Sequence, residues 1–275
     1  MYYLKIESKE NNLVKKVVKL AKSSGCRKDN CLSVVYGEHL VEEAYKYRLL
    51  ESIIIDENLT DKYKKLINKI EIKNKKEISQ RQIKIYTTNR NILNKMNILD
   101  SEIEIIGVIR VKHTKDFVLN SAMMPNLNTD FILLENIQNP LNLGAIFRVA
   151  RASGIENICL NKTCVDIYNP KVLRASQGLQ FGLNLYTDVD IFQFVKNYPG
   201  QIIATTPNAQ QNIYDLNLTM PVTFLFGNEG EGISKELLRS VKTQVKIPMA
   251  VGVDSLNVGM ALTVCAFEMV RQRLC

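Results

Sequence analysis

The sequence predicts an α/β protein in two parts, on three observations. Short apolar runs alternate with amphipathic stretches along the whole chain, the basic charge gathers in the first part, and polar, glycine-bearing loops follow the strands of the second. At 275 residues the chain is long enough for two separate cores. Its 46% hydrophobic and 23% charged residues are those of an ordinary globular protein. No apolar run approaches the roughly 18 residues of a membrane span, and Met1-Tyr2-Tyr3-Leu4-Lys5-Ile6-Glu7 lacks the layout of a secretory signal, so a cytoplasmic location is expected. Six cysteines without a Cys-x-x-Cys pair, and only His39 and His113, supply no zinc site. Reduced thiols packed as small hydrophobes are expected, and no metal.

Residues 1–115 hold 24 Lys and Arg against 15 Asp and Glu, a net of +9, whereas residues 116–275 hold 12 against 13, a net of −1. A basic half beside a near-neutral half points to polyanion capture by the first and chemistry in the second. Charge alone equally fits a lysine-decorated, solvated surface.

In the first part, Leu13, Val14, Val17, Val18, Leu20 and Ala21 mark a helix that Gly25 should end. Leu32–Tyr36 reads as a strand, Glu38–Tyr47 as a helix and Ser52–Asp56 as a buried strand. The unit repeats with a Lys-rich helix over 62–70, a strand over 83–87, a short helix over 92–96 and a strand over 105–109. That alternation gives an α/β sandwich over 1–112, and the aperiodic stretch 113–129, with Pro125, is the expected linker.

The second part, 130–275, opens with the buried strand Phe131–Glu135. A polar turn, Asn136 to Gly144, leads into a helix over 145–153 with Gly154 at its end. Strands are expected over 157–160, 184–186, 201–205, 222–226 and 244–247, separated by helices over 171–177 and 191–197 and one from Ser234. Pro248 should stop the last strand, because it cannot donate to a ladder. Asp254, Ser255 and Asn257 offer alternative caps for a final helix. This order implies a parallel sheet covered on both faces, with its ligand at the carboxyl ends of the strands.

Three loops at those ends carry unusual residues: Asn142 to Arg148, Gly227 to Gly232, and Pro248 to Asn257. On adjacent parallel strands they would converge into amides, a carboxylate, an arginine and a glycine turn. Singly, each has a plainer role: the glycine run as a turn, Arg148 as a solvated helix residue, Asn142 and Asn257 as N-caps.

Together, Asn142-Leu143-Gly144-Ala145-Ile146-Phe147-Arg148, Phe226-Gly227-Asn228-Glu229-Gly230-Glu231-Gly232-Ile233-Ser234, and Ile247-Pro248-Met249 with Ser255-Leu256-Asn257-Val258 resemble the three motifs of the SpoU (TrmH-type) RNA ribose methyltransferases of the SPOUT superfamily. Lys171 to Gly178 is similar to the family's Arg-x-Ser-x-Gly segment, and Val35 to Ala44 loosely resembles its ribosomal-protein-like RNA-binding module.

The resemblance implies a deep trefoil knot in the second domain and methyl transfer from S-adenosylmethionine to a ribose 2′-hydroxyl. It assigns catalysis to Arg148, Asn142, Glu229, Ser255 and Asn257, and cofactor contacts to Thr205, Gly227, Ile247 and Leu256. In that assignment Arg148 stabilises the developing alkoxide, since an arginine is a poor base, and Asn142 holds Arg148 or the ribose. Family sites are shared between subunits, so a homodimer is implied, with Val258, Met269 and Val270 as the apolar residues a partner would bury. Gly259 departs from the Ser or Ala of many relatives. The expected substrate is large-subunit ribosomal RNA; transfer RNA, or a non-catalytic ribosomal-RNA-binding dimer, are the rivals.

Overall fold

The computed structural model describes residues 3–76, 82–99, 101–111 and 128–274. Most of the expected linker, and His113, therefore lie outside the described residues. In chain order the first elements are β1 (Leu4–Ile6), α1 (Asn12–Lys22), α2 (Ser24–Asn30), β2 (Leu32–Tyr36), α3 (Glu38–Lys46), β3 (Leu50–Asp56), α4 (Lys64–Lys76), β4 (Lys84–Thr88), α5 (Arg90–Met96) and β5 (Ile105–Arg110). There follow β6 (Phe131–Leu134), α6 (Pro140–Ser153), β7 (Asn157–Leu160), α7 (Pro170–Ser176), β8 (Asn184–Tyr186), α8 (Ile191–Asn197), β9 (Gln201–Thr205), β10 (Gln211–Asn212), β11 (Val222–Phe226), α9 (Lys235–Ser240), β12 (Thr243–Lys246) and α10 (Val258–Leu274).

These elements form two units, and their division differs from the expected 1–112 and 130–275 at one segment. Asp166–Phe181, which includes α7, clusters with the residues up to 113. The cause is burial: Leu173 and Phe181 belong to the same core as Val41, Ile53 and Ile105. Arg27, almost fully buried, pins the segment through a 2.6 Å ion pair with Asp166, and Ser33 Oγ donates to the Tyr168 carbonyl at 2.7 Å. Removing one partner of such a pair costs about 3–5 kcal/mol.

The first unit is a mixed sheet in the order β1-β4-β3-β5-β2, with β5 antiparallel to both its neighbours. Because side chains alternate across a strand, Ile53 and Ile55 face α3 and α4 on one side, while Ile54 faces α1 and α5 on the other. Gly25 does not close the first helical stretch. Ser23 caps a second helix by accepting the Cys26 N–H at 3.2 Å, and Gly25 lies inside α2.

The second unit is a seven-stranded, all-parallel sheet in the order β10-β12-β9-β11-β6-β7-β8. β11 inserts between β9 and β6, and β12 inserts between β9 and β10. Phe131, Leu133, Ala204 and Leu225 pack under α8 and α9; the alternate residues Ile132, Ile203 and Phe224 are buried against the other face, where α6 packs on α10. The end of α10 is latched down: Arg273 makes a forked bond to Asp130 (2.6 and 2.9 Å) and donates to the Leu218 and Met220 carbonyls.

The apolar surface of α10 is not the one expected. Val258 and Met269 are buried within the chain, so neither awaits a partner, and Val270 is half-buried. Met260, Phe267 and Leu274 are exposed instead. Spaced by sevens, they form one stripe. Among the described residues no helix is long and apolar enough to cross a membrane.

Candidate active site

A parallel sheet sends every loop that follows a strand to the same edge. The loops after β6, β11 and β12 therefore share an edge as expected; β6 and β11 are adjacent, but β9 separates β11 from β12. Thr205 closes β9 and so contributes a fourth loop to the edge.

The loop after β11 is built by its own side chains. Asn228 and Gly232 exchange both backbone hydrogen bonds (3.0 and 2.9 Å), and Asn228 Oδ1 accepts the N–H groups of Gly230 (2.8 Å) and Glu231 (3.2 Å). This hairpin closes over Gly227, where an added Cβ would lie 2.2 Å from the Gly232 carbonyl carbon and oxygen. Only glycine fits there. The fold-back aims Glu229 at α6.

Helix α6 begins five residues earlier than expected. Asn139 caps it by accepting the Leu141 N–H at 2.9 Å, and Pro140 takes the first position, where a missing N–H is harmless. Asn142 is therefore a residue of the first turn rather than a loop residue or a cap.

From this turn runs a chain of side chains. Asn142 Nδ2 donates to Glu229 Oε1 at 2.7 Å, Asn257 Nδ2 donates to Asn142 Oδ1 at 2.9 Å, and Asn257 Oδ1 accepts the Gly259 N–H at 2.9 Å. The two ends fix every amide orientation. An N–H at Gly259 demands the oxygen of Asn257, and a carboxylate at Glu229 demands the nitrogen of Asn142. Asn257, not Asp254 or Ser255, is thus the cap of α10, and its carbonyl accepts the Ala261 N–H at 2.8 Å. Gly259 lets α10 approach α6: an added Cβ would stand 3.2 Å from Ala145 Cβ and 3.3 Å from Asn257 Oδ1.

The remaining expected residues do not join this relay. Asn142 bonds Glu229 and Asn257 and makes no hydrogen bond to Arg148. Arg148 is exposed and makes no hydrogen bond or ion pair among the described residues; helical spacing sets it on one face with Leu141 and Ala145. Ser255 is exposed in the loop over 247–257, where a turn closes from the Val253 N–H to the Ala250 carbonyl (3.3 Å) with Gly252 at φ 89°. Leu256, Val251 and Val253 are exposed in the same loop, Ile247 is buried at its root, and Thr205 is half-buried with Oγ1 4.0 Å from Cys265 Sγ. Burial pushes the Cys265 thiol up to about 12 and Cys164 to about 11, so neither is a thiolate nucleophile near neutral pH.

Sequence reasoning missed four residues that fasten the loops: Glu135, Asn136, Asn161 and Asn228. Each lies within two residues of a strand's carboxyl end, where Asn in particular tolerates left-handed backbone and bonds its neighbours; Asn136 has φ 59°. That pattern was the available signal.

Asn257→Ala should lower stability by about 1 kcal/mol through the lost cap and disconnect the relay. Asn257→Asp keeps the cap oxygen but cannot donate to Asn142. Thermal denaturation should separate them, with only the Ala variant losing stability, while both lose activity.

An all-parallel sheet with a side-chain relay across its carboxyl-edge loops is the build of an α/β enzyme domain. The chain belongs to the SpoU rRNA Methylase family, whose model matches residues 130–267. It is thus an RNA methyltransferase. It is 39% identical over 145 residues to the uncharacterized tRNA/rRNA methyltransferase slr1673 of Synechocystis, a match spanning 52% of this chain and 53% of that one. It is 27% identical over 250 residues to the 23S rRNA (guanosine-2′-O-)-methyltransferase RlmB of Haemophilus influenzae, covering 87% and 98% of the two chains. A crystal structure of an RNA 2′-O ribose methyltransferase superposes with a TM-score of 0.80 at 25% identity over 99% of this chain and 100% of that one. The AdoMet-bound rRNA methyltransferase of Sinorhizobium meliloti shares the fold with a TM-score of 0.82 at 21% identity, over 99% of each chain.

Proposed function

We propose that the chain transfers the methyl group of S-adenosylmethionine to a ribose 2′-hydroxyl of large-subunit ribosomal RNA. The observation that carries the reading is the relay from Glu229 through Asn142 to Asn257, which joins all three family motifs by side-chain bonds. When bound, S-adenosylmethionine supplies an electrophilic methyl group on a sulfonium. The carboxyl edge suits such a donor. Exposed backbone and the apolar side chain of Leu256 lie in one loop, with Ile247 at its root, while Thr205 ends β9 and Gly227 directly follows the neighbouring β11. Those four residues would hold it.

The chain's own residues then have separable tasks. An alcohol must lose its proton while its oxygen is held in line with the methyl group. Arg148 cannot be the base, because a guanidinium stays protonated. Exposed and unpaired, it is available to stabilise the developing alkoxide and the adjacent phosphate. Glu229, Asn142 and Asn257 keep the loops in one arrangement, and Ser255 adds a hydroxyl at the loop's free face.

Three wider features belong to the same reading. The interleaved insertion of β11 and β12 supports a knotted path through the second unit. The +9 charge of residues 1–115 supports RNA capture by that part, and the work is done in the cytoplasm, where the ribosomal RNA is. The stripe Met260, Phe267 and Leu274, with Leu141 exposed on α6, supports a homodimer through α10. Sedimentation should return about twice the 31.3 kDa of one chain, and Phe267→Glu should return a monomer; a wild-type monomer at working concentration contradicts the dimer. Labelled methyl transfer to bulk ribosomal RNA tests the activity, and tight RNA binding without incorporation would sink it.

A further inference from the structure

We infer that Asn228 is a positioning residue for methyl transfer, an inference that rests on the reading just given. Three side-chain ties join the loop after β6 and the first turn of α6 to the loop after β11. Glu135 Oε2 accepts the Ser234 N–H at 2.8 Å, Asn228 Nδ2 donates to the Asn136 carbonyl at 2.9 Å, and Asn142 Nδ2 donates to Glu229 Oε1 at 2.7 Å. The first and last of these lie at the exposed surface, and only the Asn228 tie is partly buried. An exposed bond contributes little on its own against competing water.

The partly buried Asn228 tie sets the geometry of the other two. Asn228 uses both ends of one amide. Its oxygen gathers the Gly230 and Glu231 N–H groups and shapes the turn that carries Glu229, while its nitrogen fastens that turn to Asn136. Asn136 is itself held from the far side, its N–H donating to Asn161 Oδ1 at 3.0 Å, with its backbone in the left-handed region. Four residues further on, α6 begins and presents Asn142 and then Arg148. The amide of Asn228 is therefore the joint that sets the spacing between the carboxylate loop and the arginine helix. It touches no reacting atom and acts through Glu229, Asn142 and Arg148.

Asn228→Asp isolates the joint. The retained oxygen still accepts the two N–H groups of the turn, but the second oxygen faces the Asn136 carbonyl without a proton to donate. The test uses the full-length protein and compares kcat and KM for ribosomal RNA, calorimetric affinity for S-adenosylmethionine and thermal denaturation in Asn228→Asp, Asn228→Ala and Asn161→Ala. Asn161→Ala releases Asn136 without altering the glycine turn, and so serves if the Asn228 variants do not fold.

The expected result for Asn228→Asp and Asn161→Ala is a kcat reduced by about 10²-fold, the scale of a 1 Å misplacement, with KM and cofactor affinity unchanged and the melting temperature lowered by only a few degrees. A wild-type kcat would overturn the inference, as would a loss of kcat matched by equal losses of cofactor affinity and stability. Arg148→Ala, run alongside, keeps the readings distinct: if it is fully active, the assignment of Arg148 fails, while the Asn228 result is still judged against wild-type turnover.

Discussion

Arg148→Ala should lower the rate of methyl transfer by about 10² to 10³-fold, the effect of removing a single oxyanion donor, and leave the folded protein untouched. Arg148 is exposed and makes no hydrogen bond or ion pair among the described residues, so its loss uncovers no buried group and breaks no tie. Melting temperature and affinity for S-adenosylmethionine should stay at wild-type values. Arg148→Lys keeps the charge without the planar fork that matches a phosphate, and should fall between the two. Rapid-quench single-turnover assays with calorimetric cofactor titration make the comparison. An equal loss of turnover and cofactor affinity would move Arg148 into the cofactor site.

The second large effect comes from one missing methyl group. In Gly227→Ala the new Cβ would meet the backbone of Gly232 and Ile233 at 2.2–2.3 Å, and backbone has no rotamer with which to retreat. The Asn228–Gly232 hairpin must open, taking Glu229 away from Asn142. We expect about 3 kcal/mol of lost stability, the upper end of ordinary overpacking, seen as a fall in melting temperature of about 6–12 °C, and methyl transfer reduced to background. Gly230→Ala is the control. Its Cβ would meet only Asn228 Oδ1 at 3.5 Å, an ordinary contact, so stability should stay near wild type. Equal stability of the two variants would contradict the geometry.

The difference between these glycines was not visible in Gly-Asn-Glu-Gly-Glu-Gly read as a string, since the crowding comes from residues five and six places on. What the sequence made legible was governed by local rules. β7, β8, α8 and β9 have the expected bounds because apolar runs and caps such as Asp190 act within a few residues. β1 and β10, with three and two residues, are too short to carry a period. α6 starts earlier than its apolar pattern implies because Asn139-Pro140, which resembles part of a turn, is also a pair that opens a helix.

Long-range outcomes escaped for a different reason. That β9 lies between β11 and β12, that Asp166–Phe181 packs with the first unit, and that Met269 is buried while Met260 is exposed are all decided by sheet order and helix docking. The motif residues were legible as a set, and three of them are joined by hydrogen bonds, yet their partners were not. Asn142 turns to Glu229 and Asn257 rather than to Arg148. The asparagines that hold the loops looked like turn residues, which is also what they are.

Ribose-methylation mapping of total RNA is the most direct measurement. Cells carrying the wild-type chain, cells lacking it and cells carrying Arg148→Ala should be compared nucleotide by nucleotide. A 2′-O-methyl mark on large-subunit ribosomal RNA should be present with the wild type and missing from the other two. Identical maps in all three, with the purified chain still binding ribosomal RNA, would contradict it.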